Sequence, residues 1–178
     1  APDLSRTPPA LATALDALQP GVSRLLGFTR WPIPVTTDGW DGYSANRTRV
    51  LQMIRNAQAN ALVLTGDSHA AWANEVLDAD GRVAVELAGT SITSASDAGY
   101  FAQVGIDFAD GLRLRNPHIK WTDQLNRGFM VVTLSREEAL AEYFVVSSVS
   151  SREYETARAG AFTIANTPQG AGEITPAG

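Results

Sequence analysis

Short apolar runs separated by polar, glycine-rich turns dominate this chain, and they predict alternating helices and strands. Leucines at positions 11, 15 and 18 follow a Pro-Pro pair at helical spacing, and the Pro-Gly pair at 20–21 ends that first helix. Apolar residues between 50 and 57 share one face of a second helix, which Ser44 would cap. The apolar residues 61–64 that follow predict a buried strand.

The second half of the chain is richer in predicted strands. Residues 70–77 and, as a single turn, 136–140 are predicted to be helical, and the Asp-Ala-Asp-Gly sequence at 78–81 is typical of a turn. Further strands are predicted at residues 82–88, 128–135, 141–147 and, at a sheet edge, 161–165. The segment 89–126 is long and has little periodicity, as functional regions of small domains often do. These elements together indicate an α/β or layered α+β fold.

Composition and charge restrict the class of protein. The chain has 178 residues, of which 44% are hydrophobic and 19% charged, which is typical of one globular domain. A net charge of −5 argues against a protein that binds nucleic acid by neutralising phosphates. No apolar run approaches the ~20 residues of a membrane-spanning helix. The lack of cysteine excludes disulfides, thiolate metal ligands and a cysteine nucleophile.

The strongest chemical signal is the sequence Gly-Asp-Ser-His at residues 66–69, directly after the predicted strand 61–64. A strand that stops in this way places a carboxylate, Asp67, and an imidazole, His69, on a tight loop at the edge of a sheet. A hard oxygen ligand beside an imidazole nitrogen suits a hydrolytic metal centre. Gly66 lacks a Cβ atom and so permits a sharp turn and the close approach of a metal or phosphate.

Two other interpretations fit the same four residues. Asp67 could cap the next predicted helix, with His69 as an ordinary surface residue. Alternatively, Gly-Asp-Ser after a strand resembles the start of a GDSL-type esterase, with Ser68 as the nucleophile. That class needs an Asp-x-x-His sequence downstream, but the residue three before His118 is Arg115, so the esterase interpretation is disfavoured.

Three further segments carry candidate chemistry. Trp-Asp-Gly-Tyr at 40–43 offers Asp41 as a tentative metal ligand, or a glycine turn that buries two aromatic rings. In the segment 116–121, His118 and Lys120 would project the same way from an extended chain and could contact a phosphate together. The Gly-Thr-Ser-Ile-Thr-Ser sequence at 89–94 could donate to an anion, although hydroxyls at strand ends more often bond to local backbone.

In this order, the four segments 40–43, 62–69, 89–94 and 116–120 resemble those of the alkaline phosphatase D, or PhoD-like, family. The resemblance extends from about residue 39 to residue 149. It implies a metallophosphatase fold in which two packed sheets are flanked by helices, and hydrolysis of phosphomonoesters and phosphodiesters at a multi-metal centre containing iron and calcium. It also favours a periplasmic or secreted location. By the resemblance, Asp67 would bind one cation and His69 the other, while His118 and Lys120 would lie near the substrate.

The resemblance also implies that metal ligands are missing here. The family's other ligands, which include a cysteine and a tyrosine, belong to an N-terminal half, and no matching motif precedes residue 39. We therefore expect a poorly matched segment at 1–38, the C-terminal half of a metallophosphatase domain at 39–165 and a flexible tail at 166–178. A companion segment or chain would complete the site. The alternative is a non-catalytic structural or interaction module, or an inactive remnant.

Overall fold

The computed structural model describes residues 39–96 and 108–178, apart from the side chains of Asp41 and Phe108. The helices are a short 3-10 helix at Trp40–Tyr43, α1 at Ser44–Asn56 and α2 at Phe108–Arg115. The strands are β1 (Leu62–Thr65), β2 (Ala71–Asp78), β3 (Gly81–Ala88), β4 (Ile119–Asp123), β5 (Gly128–Leu134), β6 (Glu138–Val146), β7 (Thr156–Thr167) and β8 (Gly170–Pro176). The helix predicted near residues 8–18 lies outside the described residues.

The eight strands form two four-stranded sheets. The first has the order β1-β3-β2-β4, and the second runs β5-β6-β7-β8 as an antiparallel meander. Within the first sheet β1 and β3 are parallel, while β2 pairs antiparallel with both β3 and β4. The carboxyl ends of β1 and β3 therefore meet at one edge, where the Gly89 N–H donates to the Thr65 carbonyl at 3.0 Å.

The hydrophobic core lies between the inner faces of the two sheets. Its buried members alternate along each strand, as period-2 patterning requires: Ala71, Ala73, Val85, Leu87, Ala139, Ala141, Tyr143, Phe162, Ile164 and Ile174. Three rings fill its centre, with Trp121 4.7 Å from Tyr143 and 5.5 Å from Phe162 between ring centroids. The Tyr143 hydroxyl donates to the Trp72 carbonyl at 2.7 Å and so links the sheets. Burial raises the pKa of Tyr143, as does the charge of Glu86.

The prediction of a helix at residues 70–77 is wrong, because this segment is strand β2. Alanine, asparagine and glutamate give it local helix propensity, but pairing with β3 and β4 on both sides outweighs that weak preference. The predicted turn at 78–81 is confirmed. Asp78 Oδ1 accepts the Asp80 N–H at 2.8 Å, and Gly81 adopts a φ of +109° that favours glycine. This turn makes β2 and β3 a hairpin.

The second sheet also departs from expectation in three places. The one-turn helix predicted at 136–140 is wrong, because β6 begins at Glu138 and Ser135 closes a hairpin through hydrogen bonds to residues 137 and 138. The strand predicted at 161–165 extends over Thr156–Thr167 and is interior rather than an edge strand. Where we expected a frayed tail, residues 170–176 form the edge strand β8.

The expectation of two packed sheets is confirmed, and that of flanking helices only in part. Eight strands dominate the described residues, with α1 and α2 as the α-helices. Helix α1 matches its prediction, although Ser44 is its first residue and Tyr43, not Ser44, occupies the N-cap position. Neither described α-helix is long and apolar enough to cross a membrane.

Candidate metal centre

The Gly-Asp-Ser-His sequence forms a tight, strained loop at the carboxyl end of β1. The Ser68 N–H donates to the Gly66 carbonyl at 2.9 Å, which closes the turn. Asp67 has φ +71° and His69 has φ +56°, both in the left-handed region. Such a conformation costs on the order of 1 kcal/mol for each non-glycine residue and persists where the surroundings hold it. The loop is thus constrained in a shape that its sequence does not favour.

The imidazole of His69 is exposed, and one of its nitrogens is already engaged. Nδ1 lies 3.0 Å from the Ala95 carbonyl oxygen. Because a carbonyl can only accept, this contact assigns the proton to Nδ1 and leaves the Nε2 lone pair available when the ring is neutral. A backbone carbonyl behind the ring is the usual arrangement for a metal-binding histidine.

The carboxylate of Asp67 is exposed and accepts no hydrogen bond from the residues that the structure describes. The interpretation of Asp67 as a helix cap is wrong, because β2 and not a helix follows it. The carboxylate is therefore available for a cation or another ligand from outside the described region.

The hydroxyl of Ser68 has a structural environment. Its Oγ accepts the Trp72 indole N–H at 3.0 Å and donates to the Ala70 carbonyl at 3.4 Å. Within the described ranges no imidazole contacts this oxygen, so it has no general base there. These contacts agree with the sequence analysis, which disfavoured Ser68 as an esterase nucleophile.

Thr90 joins the loop to the rest of this sheet edge. Its Oγ1 lies 3.1 Å from the His69 carbonyl and 2.9 Å from the Asn126 carbonyl, so the single hydroxyl bridges two loops. The Ser91 hydroxyl in turn bonds to the Ser94 carbonyl. The interpretation that these hydroxyls bond to local backbone is confirmed for Ser91, whereas Thr90 bonds to the backbone of two segments that are distant in sequence.

The other predicted site residues lie elsewhere. Lys120 Nζ makes an ion pair with Glu75 at 3.0 Å, and His118 contributes its carbonyl to the Glu75 N–H at 2.8 Å and lines a cleft under α1. Among the described residues, neither side chain forms a hydrogen bond or an ion pair with Asp67 or His69. Asp41 belongs to the 3-10 helix, and its side chain lies outside the described atoms, so its role stays a prediction.

Glu75 explains why Lys120 is not a free ammonium. The Glu75 carboxylate also binds Arg82 at 2.7 Å. Burial alone would raise the pKa of Glu75, but hydrogen bonds from Lys120 and Arg82 outweigh burial, and the pKa is lowered. A phosphate would have to compete with this carboxylate for Lys120.

A complete metal site is absent from residues 39–96 and 108–178, where no three His, Asp or Glu side chains are grouped closely enough to hold an ion. Asp67 and His69 fit a metal by the chemistry of their free donor atoms, but they supply only part of a coordination shell.

Sequence reasoning did not find the polar pair Asn74 and Glu86 on the helix-facing side of the first sheet. Asn74 Nδ2 donates to Glu86 Oε2 at 3.2 Å, and both side chains line the cleft under α1. The signal was present, because the buried alternation of Val83, Val85 and Leu87 puts Glu86 on the opposite face of β3.

Comparison with known proteins supplies the wider context. A family model described as PhoD-like phosphatase matches residues 7–143, a range that begins N-terminal to the motif at 40–43. Alkaline phosphatase D of Bacillus subtilis (strain 168) is 35% identical over 119 residues, which cover 64% of this chain and 20% of that protein. The solved structure of PhoD matches with a TM-score of 0.61 and 26% identity over 79% of this chain and 27% of that one. The chain thus spans roughly a quarter or less of the length of these relatives.

Proposed function

Because this chain belongs to the PhoD-like phosphatase family, we propose that it forms part of a metal-dependent enzyme that hydrolyses phosphomonoesters and phosphodiesters. Its contribution is the loop at residues 66–69, in which Asp67 and His69 bind metal ions. The observation that carries this proposal is the Nδ1 contact of His69 with the Ala95 carbonyl, which leaves Nε2 available as a ligand, near a carboxylate that has no partner among the described residues.

The residues of this chain would act mainly by binding and orientation. Asp67 offers a carboxylate oxygen, His69 offers Nε2, and Thr90 keeps the loop fixed against two neighbouring segments. Iron and calcium, held partly by these donors, would polarise the phosphoester and activate water. His118 is a candidate phosphate contact, and Lys120 becomes one only if it leaves Glu75.

We further propose that a companion N-terminal segment or chain completes the centre. Strand β1 supports this, because it lies at the edge of the first sheet among the described residues and its Leu64 side chain is 61% exposed. The missing ligands support it as well, since two donors from residues 39–96 and 108–178 cannot enclose a dinuclear site. This chain alone should therefore have little phosphatase activity.

Metal content and turnover test the proposal together. We would dialyse the chain against iron, manganese or calcium, measure bound metal by elemental analysis, and assay p-nitrophenyl phosphate. We expect weak or substoichiometric metal that Asp67→Asn and His69→Ala abolish, and very low turnover. The matched control is Asp110→Asn, which alters an exposed carboxylate of α2 and should change neither the bound metal nor the turnover.

Two results would count against this function. Metal binding that is indifferent to both loop substitutions would remove Asp67 and His69 as ligands. Complete absence of metal, even when the N-terminal portion of a longer form is supplied, would favour a non-catalytic module or remnant. Robust turnover by this chain alone, lost in His69→Ala, would instead show that no companion is needed.

A further inference from the structure

Strand β5 lies at one edge of the second sheet, and β6 is its only neighbouring strand among the described residues. The Gly128 N–H points away from β6 and donates to the Ser91 carbonyl at 3.1 Å. Because this direction alternates along an antiparallel strand, every second residue after Gly128 also points its N–H and C=O groups away from β6. These residues are Met130, Val132 and Leu134. Their outward backbone groups form no hydrogen bond to another described residue.

The other three edge strands in the described part of the chain have features that oppose pairing with a further strand. Strand β1 has four residues, and β4 carries the charged side chains of Lys120 and Asp123. Strand β8 contains the exposed Glu173 and also Pro176. Short length, charge and proline all keep the edges of natural sheets unpaired. Strand β5 has seven residues, no charge, no proline and no register shift against β6, so its edge lacks this protection.

The side chains of β5 are apolar on both faces of the sheet. Met130 and Val132 pack against the core between the two sheets. Leu134 follows them on the same face but is 68% exposed, and Val131 on the opposite face is 41% exposed. An added strand would therefore gain apolar contacts on both faces, as well as hydrogen bonds along the edge.

The two ends of β5 carry opposite charges. Arg127 precedes the strand, and the turn that follows it, at 136–138, contains one arginine and two glutamates. Neither Arg127 nor Glu137 belongs to an ion pair in the part of the chain that the structure describes. When two identical strands pair antiparallel, the start of each lies beside the end of the other. Each Arg127 would then approach the acidic turn of a second copy, which makes the chain complementary to itself at this edge.

We propose that β5 pairs antiparallel with β5 of a second copy of this chain, which joins the two second sheets into one continuous eight-stranded sheet. With Val132 on the two-fold axis, Met130 of each copy faces Leu134 of the other, and all three are residues with outward backbone groups. The pairing ends before Gly128, whose outward N–H is already bound to Ser91. One strand pair buries less than the ~1,200–2,000 Å² of a stable interface, so the dimer is weak and exchanges with the monomer. The inference does not depend on the proposed phosphatase function.

Light scattering and amide hydrogen exchange test the inference on the full 178-residue chain. Over concentrations from about 10 μM to about 1 mM, we expect the average mass to rise towards twice that of the monomer. Exchange of the Met130 and Val132 amides should slow as the concentration rises, whereas the Val131 amide, which points towards β6, should change much less. A monomeric mass at all concentrations would overturn the inference. So would protection of Met130 and Val132 that is independent of concentration, because another segment would then already cover this edge.

Three substitutions locate the interface. Leu134→Lys places a charge at the exposed end of β5 and should weaken the dimer by at least about tenfold, because the contact is lost twice across the two-fold axis. The matched control is Leu114→Lys, which alters a 62% exposed leucine of α2 and should leave the dimer unchanged. Glu137→Arg reverses an exposed charge of the turn and should also weaken the dimer, which keeps the test valid if Leu134→Lys folds poorly. A dimer that is indifferent to both β5-edge substitutions, or one that Leu114→Lys weakens equally, would show that the copies associate through another surface.

Discussion

Replacing Glu75 by glutamine should destabilise the protein by removing the anion that two cations share. The Glu75 side chain is only 11% exposed, while Arg82 and Lys120 are 27% and 36% exposed. A charge-assisted hydrogen bond contributes about 1.5–3 kcal/mol, and breaking a fully buried pair costs about 3–5 kcal/mol. Because the cations retain partial hydration, we expect a loss of about 2–3 kcal/mol at pH 7.

The same substitution predicts a particular pH dependence. The folded-state pKa of Glu75 lies below its ordinary value of 4.5, so the folded protein holds the carboxylate ionised more strongly than the unfolded chain does. Its stabilisation is complete above the ordinary pKa and disappears as the pH falls through the lowered pKa. The difference in free energy of unfolding between the wild type and Glu75→Gln should therefore become smaller below about pH 4.5.

Urea unfolding measures both effects. Curves for the wild type, Glu75→Gln and the exposed control Glu153→Gln would be compared at pH 7 and at intervals down to pH 3. A separate thermal unfolding scan at pH 7 should show the same loss. At about 2–4 °C of midpoint shift per kcal/mol of stability, the thermal midpoint of Glu75→Gln should be about 4–12 °C lower than that of the wild type. A pH 7 difference below about 0.5 kcal/mol, the range of ordinary surface substitutions, would refute this account of the ion pairs. A difference in free energy of unfolding that stays the same from pH 7 to pH 3 would refute it as well.

Three other substitutions test the framework around the candidate site. Gly128→Ala should prevent folding or destabilise by more than about 3 kcal/mol, because an added Cβ would overlap the Phe144 carbonyl oxygen of β6; a circular dichroism spectrum and an unfolding midpoint like those of the wild type would contradict this. Tyr143→Phe should cost about 1 kcal/mol in urea unfolding by deleting the bond to the Trp72 carbonyl, and a neutral result would show that this link between the sheets is unimportant. Thr90→Val should lower metal affinity at His69 while Thr90→Ser retains it, measured by metal titration; equal affinities would show that the hydroxyl does not position the loop.

The sequence predicted the first sheet where local signals agreed with tertiary pairing. Alternation in β3 and the Asp-Ala-Asp-Gly sequence were sufficient to predict that strand and the turn before it. It failed at β2, whose strand state depends on partners on both sides, and at β8, whose glycine, proline and threonine residues favour a loop in isolation. Pairing energy from distant segments is not visible in a local pattern.

In the candidate site, too, the sequence predicted the local features and missed those that depend on distant residues. The sequence located Asp67 and His69 on a loop after a strand, because that depends only on where β1 ends. It could not show that Ala95, 26 residues away, fixes the imidazole, or that Glu75 on another strand engages Lys120. It also missed the left-handed backbone at Asp67 and His69, a shape imposed by contacts that join three segments.

The parallel pairing of β1 has a consequence for the order of assembly. The β2–β3 hairpin forms between adjacent segments, whereas Leu62 must find Val85 across a much longer stretch of chain. Strand β1, thinly covered at the sheet edge, should detach more often than its neighbours in native-state hydrogen exchange. Each detachment would dismantle the loop that carries Asp67 and His69, so cation capture and strand docking would be thermodynamically linked: a bound ion should slow amide exchange along β1, and a looser β1 should release the ion more readily.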